Sequence, residues 1–511
     1  MRFLLPLFVA LALLASPARA TVTLPALLTD NLVLQQKTTV SLWGWAAPGE
    51  AVRVTASWPK GAAATVADAQ GNWLVHLPTG KAGGPYTLTV QGSNTLTINN
   101  ILLGEVWLCG GQSNMNFTIS RVPSSWKTGV VNAAEVIPQA NYPAIRMFTV
   151  AQKVADTPQR DVEGKWAVCS PATVGEFSAV AYFFAQEIHQ KTGFPVGLIH
   201  SSWGGTPAES WTRQGVLAQD SALRPILVRY QRGLATYPAD NEAYKQAKAA
   251  YDQARATDPH TALPAPVAPL NASSNKSPYK LYNGMIKPLI PYTLRGVLWY
   301  QGESNAERGY QYRTLFPALI ESWRAEWHAP DMPFYFVQIA PHRTQNADIR
   351  DAQLYALRTV PHTGMAVITD WGDSVDIHPR NKQVVGHRLA LWALAHDYGQ
   401  RGEFAGPLYQ SMQVKDGQAT LRFDHANGLA ALNSISLRDF TIAGPDSVFV
   451  PAQARVIGHK LVVVSSPQVP HPVAVRYGWR PVPHGNLVNA AGLPASPFRT
   501  DGWRLPTQGL R

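Results

Sequence analysis

The spacing of apolar positions changes twice along the 511 residues. From Val22 to about Asn100, short runs alternate in polarity, as at residues 40–45, 51–55 and 86–90, which is the period of strands with one buried face. Turn clusters at residues 47–50 and 83–85 separate them at the intervals of a β-sandwich. After Gly104 the rhythm becomes strand, helix, strand. Val106, Trp107, Leu108 and Cys109 form a continuous apolar run that predicts a strand buried on both faces. Further strands are predicted at 144–150, 196–200, 296–300, 334–339 and 365–369. Helices are predicted after a Ser178 cap, with Val180, Phe183, Phe184 and Ile188 on one face, and at 310–327, 349–360 and 381–398. This alternation predicts a parallel sheet covered by helices on both faces.

The series is interrupted between Gln214 and Tyr282. Two helices, at 221–233 and 241–256, and a Pro/Ala/Ser-rich loop at 259–278 are expected to form an insertion over or beside any site. From about Phe404 the β pattern returns, with strands at 418–423, 447–450 and 461–464. The expected division is therefore a leader at 1–20, an N-terminal β-sandwich region at 21–102, an α/β domain at 103–402 with the helical insertion at about 214–282, and a C-terminal β region at 403–511.

Composition narrows the class. The first twenty residues have the form of a cleavable secretory signal: Arg2, an apolar run from Phe3 to Leu14, and Ala18-Arg19-Ala20. The mature chain would begin at Thr21, and the product is expected to be secreted or periplasmic. No later apolar run is long enough to span a bilayer, so no membrane insertion is expected. The formal net charge is +11, of which Arg2 and Arg19 supply two. Without blocks of consecutive Lys or Arg, this modest excess does not predict nucleic-acid binding. Cys109 and Cys169 are the only cysteines, and sequence leaves open whether they pair. Neither a zinc-binding His/Glu motif nor a phosphate-binding glycine loop occurs, so no metal and no cofactor are expected.

Chemistry concentrates at the carboxyl ends of four predicted strands. Gly110-Gly111-Gln112-Ser113-Asn114-Met115 follows the first apolar run, and two glycines there allow a sharp turn that exposes Ser113. Ser201-Ser202-Trp203-Gly204-Gly205-Thr206 follows another, and Trp299-Tyr300-Gln301-Gly302-Glu303-Ser304-Asn305 a third. Asp376-Ile377-His378-Pro379 lies beyond the last. Any one of these is an ordinary polar turn. Four on one rim of a parallel sheet form a constellation, because ligands bind at that rim.

Ser113 needs a base, and His378 titrates near neutral pH. Asp376 is expected to orient the imidazole, with Asp373 as the alternative acid. The Ser113 amide, the Gly205 amide and the Gln301 side chain are the expected oxyanion donors, with Asn305 as the alternative to Gln301. Together these parts specify acyl transfer to water. Glu303 is expected to be a hydrogen-bonded anchor, His200 a core histidine, and Trp203 and Trp299 either sugar platforms or core.

These four blocks resemble those of the carbohydrate O-acetylesterases related to sialate O-acetylesterase, within the wider SGNH hydrolases. Asp30 to Gln36 and Val475 to Trp479 resemble that family's flanking β regions, so the similarity spans nearly the whole mature chain. The resemblance implies a three-layer α/β/α flavodoxin-like hydrolase domain with flanking β-sandwich (jelly-roll-like) regions. It also implies metal-independent release of acetate from an acetylated carbohydrate, with Ser113 matching the nucleophile and His378 the base. One departure stands out. Many SGNH enzymes carry the acid three residues before the histidine, and Val375 fills that slot, leaving Asp376, Asp373 or a Ser–His dyad. The competing readings are a glycan-binding protein with an inactive hydrolase domain, against which Ser113 and His378 are both present, and an amidase or peptidase on the same scaffold.

Overall fold

In the computed structural model, residues 21–259 and 261–510 are described; the expected secretory leader lies outside them. The central sheet is built from β1 (Thr95–Gly111), β2 (Tyr142–Thr149), β3 (Trp166–Cys169), β4 (Val196–Ser202), β5 (Gly296–Tyr300), β6 (Phe334–Gln338) and β7 (Thr363–Val367). Its order is β7-β6-β5-β1-β4-β2-β3. All pairs are parallel except β2 with β3. β4 and β5 are buried along their whole length, as expected of strands covered by helices on both faces.

The helices that cover the sheet are α1 (Ala179–Thr192), α3 (Gly309–Glu326), α4 (Ala347–Thr359) and α5 (Lys382–His396); α2 (Arg224–Thr257) belongs to the insertion. Ser178, Asn346 and Asn381 cap α1, α4 and α5 through side-chain acceptors; α1 follows the Ser178 cap that the sequence signals, whereas α4 begins two residues ahead of its expected start at 349.

Two expectations change. The insertion holds one 34-residue helix, α2, where two were expected. Pro238 does not break it: the proline sits on an exposed part of the helix, where water can satisfy the carbonyl one turn earlier. The helix is anchored at its start by buried Ile226 and Tyr230. Second, the expected junction at residues 102 and 103 falls inside the 17-residue strand β1. Its first half pairs with the antiparallel strand Gly83–Gln91 of the N-terminal β region, and its second half is the centre of the hydrolase sheet.

The C-terminal β region docks on α4. Arg350, fully buried, donates to the carbonyls of Ile339, Ala340, Arg480 and Pro481 at 2.9–3.1 Å. Gln338 bonds Ser496, and Asp348 accepts from Thr507. Cys109 and Cys169 are buried free thiols, and burial raises both, Cys169 to about 11.

Candidate active site

The sheet order decides the site. β4, β1 and β5 are adjacent, so the polar segments that leave their carboxyl ends emerge side by side. Gly111 makes the turn possible: its φ is +135°, and a Cβ there would stand 2.1 Å from the Tyr300 carbonyl oxygen. The Gln112 amide donates to that same carbonyl at 2.9 Å, and the Trp203 amide donates to the Gly111 carbonyl at 3.1 Å. Three strand ends are thereby stitched together directly beneath Ser113.

Ser113, 7% exposed, opens on a cleft of about 680 Å³ lined by Gln112, Trp126, Lys127, Trp203, Gly205 and His378, among others. Its Oγ stands 2.8 Å from His378 Nε2. The loop carrying His378 follows β7 at the far end of the sheet and reaches back across β6 and β5. Three contacts hold it there. Asn114 Nδ2 donates to the Ile377 carbonyl at 3.1 Å, His342 Nε2 bonds the Val375 carbonyl at 3.0 Å, and the Trp126 ring lies 4.5 Å from the imidazole, centroid to centroid.

Asp376 Oδ1 lies 3.6 Å from His378 Nδ1 and accepts the His378 backbone N–H at 2.8 Å. Its side chain is 48% exposed. Asp373, the alternative acid, is used in the turn itself: its Oδ1 accepts the amides of Val375 and Asp376. Burial lowers the His378 imidazole to about 4; Lys382 adds to the shift and Asp376 opposes it.

Beneath the nucleophile lies a charged layer that residue-by-residue reasoning had not assembled. Asn114 is its hub. Its Nδ2 donates to Glu303 Oε1 at 2.7 Å, and its Oδ1 accepts from Lys382 Nζ. Lys382 is fully buried between the Phe117 and Tyr300 rings. Burial lowers Lys382 to about 7 and raises Glu303, so both are pushed toward their neutral forms. Asn114 sits inside a quoted motif and Lys382 three residues beyond another, yet nothing in their spacing shows that they touch across 268 residues. Glu303 is the hydrogen-bonded anchor its position in the turn predicts.

The oxyanion assignment needs a correction. Gln301 is fully buried and does not line the cleft. Its amide group donates to the Thr206 carbonyl at 3.3 Å and to Asn305 Oδ1 at 2.7 Å, while its Oε1 accepts from Tyr312. The alternative, Asn305, is engaged in the same way, accepting from Ala208 N and donating to Glu209 at 2.8 Å. Both amides build the loop. With both N–H bonds of Gln301 already engaged, that side chain has no donor left for a developing charge. Gly205 does line the cleft, at φ +72°, and the neighbouring Gly204 packs so closely that a Cβ on it would sit 3.4 Å from Ser113 Cβ.

Other expectations separate cleanly. His200 is a core residue, bonded to Ser202 Oγ at 2.6 Å and lowered by burial to about 3. Trp299 is core, packed edge-on against Trp211 and Trp323, whereas Trp203 lines the cleft. Trp126 and His342 are contributions the sequence did not signal, because both come from loops without a recognisable motif.

A serine paired with a histidine on the carboxyl rim of an α/β/α sheet is the arrangement of a serine hydrolase, and the fold is of the SGNH kind. Comparison with known proteins is specific beyond that class. Residues 271–394 match the family model described as carbohydrate esterase, sialic acid-specific acetylesterase. The sialate O-acetylesterase of Homo sapiens is 30% identical over 427 residues, covering 75% of this chain and 73% of its own length. That of Mus musculus is 28% identical over 521 residues, with 92% of each chain covered. A crystal structure of a carbohydrate acetylesterase from Xanthomonas citri superposes with a TM-score of 0.79 at 36% identity, covering 94% of this chain and all of that one. The chain belongs to the sialate O-acetylesterase family of carbohydrate esterases, and it is a carboxylic ester hydrolase acting on glycans.

Proposed function

We propose that this protein is a secreted serine esterase that removes O-acetyl groups from a carbohydrate without a metal, using Ser113 as nucleophile and His378 as base. The observation that carries this reading is the 2.8 Å contact between Ser113 Oγ and His378 Nε2 at the floor of an open cleft. In the first half-reaction Ser113 Oγ attacks the acetyl carbonyl as His378 takes its proton. The tetrahedral oxyanion is held by the Ser113 and Gly205 amides, and the sugar hydroxyl leaves with the proton from His378. Water, deprotonated by His378, then attacks the acetyl-enzyme and releases acetate. The N-terminal, hydrolase and C-terminal regions are proposed to act as one unit, given the shared strand β1 and the docking of the C-terminal region on α4. Among the described residues no helix is long and apolar enough to cross a membrane.

Asp376 completes the set as a weak third member. An exposed carboxylate 3.6 Å from Nδ1 orients the imidazole less firmly than a buried, directly bonded one. Asp376→Asn is therefore expected to lower kcat by only about ten- to a hundredfold, far less than loss of the nucleophile. Steady-state rates on p-nitrophenyl acetate measure this, and a loss as large as that of the serine variant would make Asp376 an equal partner.

The pH profile has a definite sign. The base works only when neutral, and burial holds His378 near 4. Lowering pH through the usual histidine range is thus expected to leave kcat/KM nearly unchanged, with the acid limb falling only as pH approaches about 4. An acid limb centred near 6.5 would show that the imidazole is solvated in the working enzyme.

The test of the whole reading is acetate release by the purified protein from O-acetylated sialic acid and from acetylated xylan or xyloglucan oligosaccharides, beside p-nitrophenyl acetate. Release from an acetylated glycan supports the esterase. Failure on all of these substrates would favour a glycan-binding role.

A further inference from the structure

Lys382 stands where a lysine does least for the fold. It is the first residue of α5, so its charge lies at the positive end of the helix dipole, and its side chain is fully buried. No carboxylate is bonded to its ammonium among the described residues; Glu303 and Asp376 act on it only from a distance. Its Nζ donates to Asn114 Oδ1, and the Phe117 and Tyr300 rings lie 4.9 and 5.4 Å away. A buried cation held by a neutral amide and two rings, at the unfavourable end of a helix, weakens a fold. A residue that breaks several local rules at once marks a functional position.

What Lys382 touches supplies the function. Asn114 follows the nucleophile, and Ile377 precedes the base. Asn114 Nδ2 donates to the Ile377 carbonyl at 3.1 Å and to Glu303 Oε1 at 2.7 Å, which engages both of its hydrogens. The amide thereby ties the Ser113 turn to the His378 loop and to the turn that follows β5. This tie depends on which way the amide faces. Turned over, it would aim its oxygen at the Glu303 carboxylate and the Ile377 carbonyl, acceptor against acceptor, and its hydrogens at Lys382, donor against donor. Lys382 therefore holds Asn114 in the orientation with matched partners. The loop needs such a tie: it starts from β7 at the edge of the sheet, and its residues 371–376 are all exposed. With little packing around it, directed hydrogen bonds set its position.

We propose that Lys382 is a positioning residue for catalysis: acting through Asn114, it locks the His378 loop onto the Ser113 turn and so keeps base and nucleophile in contact. This rests on the serine esterase reading above and goes beyond it by assigning a role to a residue that does not line the cleft. An ammonium and a neutral amine both donate to Oδ1, so the role holds whether or not Lys382 carries its proton.

The test is a double-mutant cycle, read on p-nitrophenyl acetate, with Lys382→Met, Asn114→Ala and the two combined. Lys382→Met is expected to lower kcat about a hundredfold while KM stays within about threefold, since displacing a base by about an ångström costs that much in rate and leaves the cleft intact. Its unfolding midpoint is expected to match or exceed that of the wild type, because the substitution removes a buried charge and leaves only a neutral acceptor unpaired. A merely structural lysine would lose stability first. Asn114→Ala is expected to lose about as much kcat as Lys382→Met, and the combined variant no more than the worse of the two, because both break one tie. A Lys382→Met kcat within about threefold of wild type overturns the proposal, and so does a loss that comes with a collapse of the midpoint. A combined loss equal to the product of the single losses overturns it as well, since the two residues would then act independently. A Lys382→Met chain that does not fold makes the lysine a support of the fold and has the same consequence. Wild-type protein inert toward p-nitrophenyl acetate and toward acetylated glycans would overturn the esterase reading together with this one.

Discussion

Ser113→Ala is expected to lower kcat by about four to six orders of magnitude on both p-nitrophenyl acetate and an acetylated glycan. The reasoning is local. Ser113 Oγ is the group bonded to His378 Nε2 on the cleft floor, and removing it leaves the base with no hydroxyl to activate. Backbone donors and the cleft remain, so a residual rate above that of water is expected from binding and oxyanion stabilisation. The substitution removes one oxygen from a mostly buried side chain whose backbone is fixed by the Gly111 turn, so the unfolding midpoint should barely move. Rates and melting curves on the same preparation separate the two effects. Activity within tenfold of wild type would remove Ser113 from the nucleophile role.

The largest effect on stability is expected at Arg350. Its guanidinium ties together the end of β6 and the Arg480–Pro481 segment through four carbonyls, all in the interior. Arg350→Met keeps the bulk and the helix preference of α4 but leaves those four acceptors without their donor. The loss is expected to be about 3–5 kcal/mol, seen as a fall of several degrees in the unfolding midpoint, because breaking a buried polar network costs more than never having built it. An unchanged midpoint would mean that water enters the interface and replaces the guanidinium. Since Glu303 lies close enough to influence Arg350, some loss of activity is expected alongside.

Much of this was legible in the chain. The strand at Gly296–Tyr300 was placed to the residue, and the Ser178 cap marked where its helix begins. Those signals are local: an apolar run, a capping side chain or a glycine at a forced turn acts within a few residues. Gln301 shows where such reasoning stops. Its place in the loop was right, but the direction of its amide depends on Thr206, Asn305 and Tyr312, and those partners arrive only when β4 and α3 pack around β5.

The period of each segment, the sharp turn that brings Ser113 to the sheet rim and the four polar segments on that rim follow from the chain alone, because backbone sterics and hydrophobic spacing are written residue by residue. Packing alone set Asn114 between Glu303 and Lys382 and merged the two helices expected at 221–233 and 241–256 into one continuous helix. It alone also fixed both cysteines as free thiols and brought His378 back across two strands to within 2.8 Å of Ser113. Those are choices of partner between residues tens to hundreds of positions apart, and a buried polar group takes whichever partner the packed chain brings within reach.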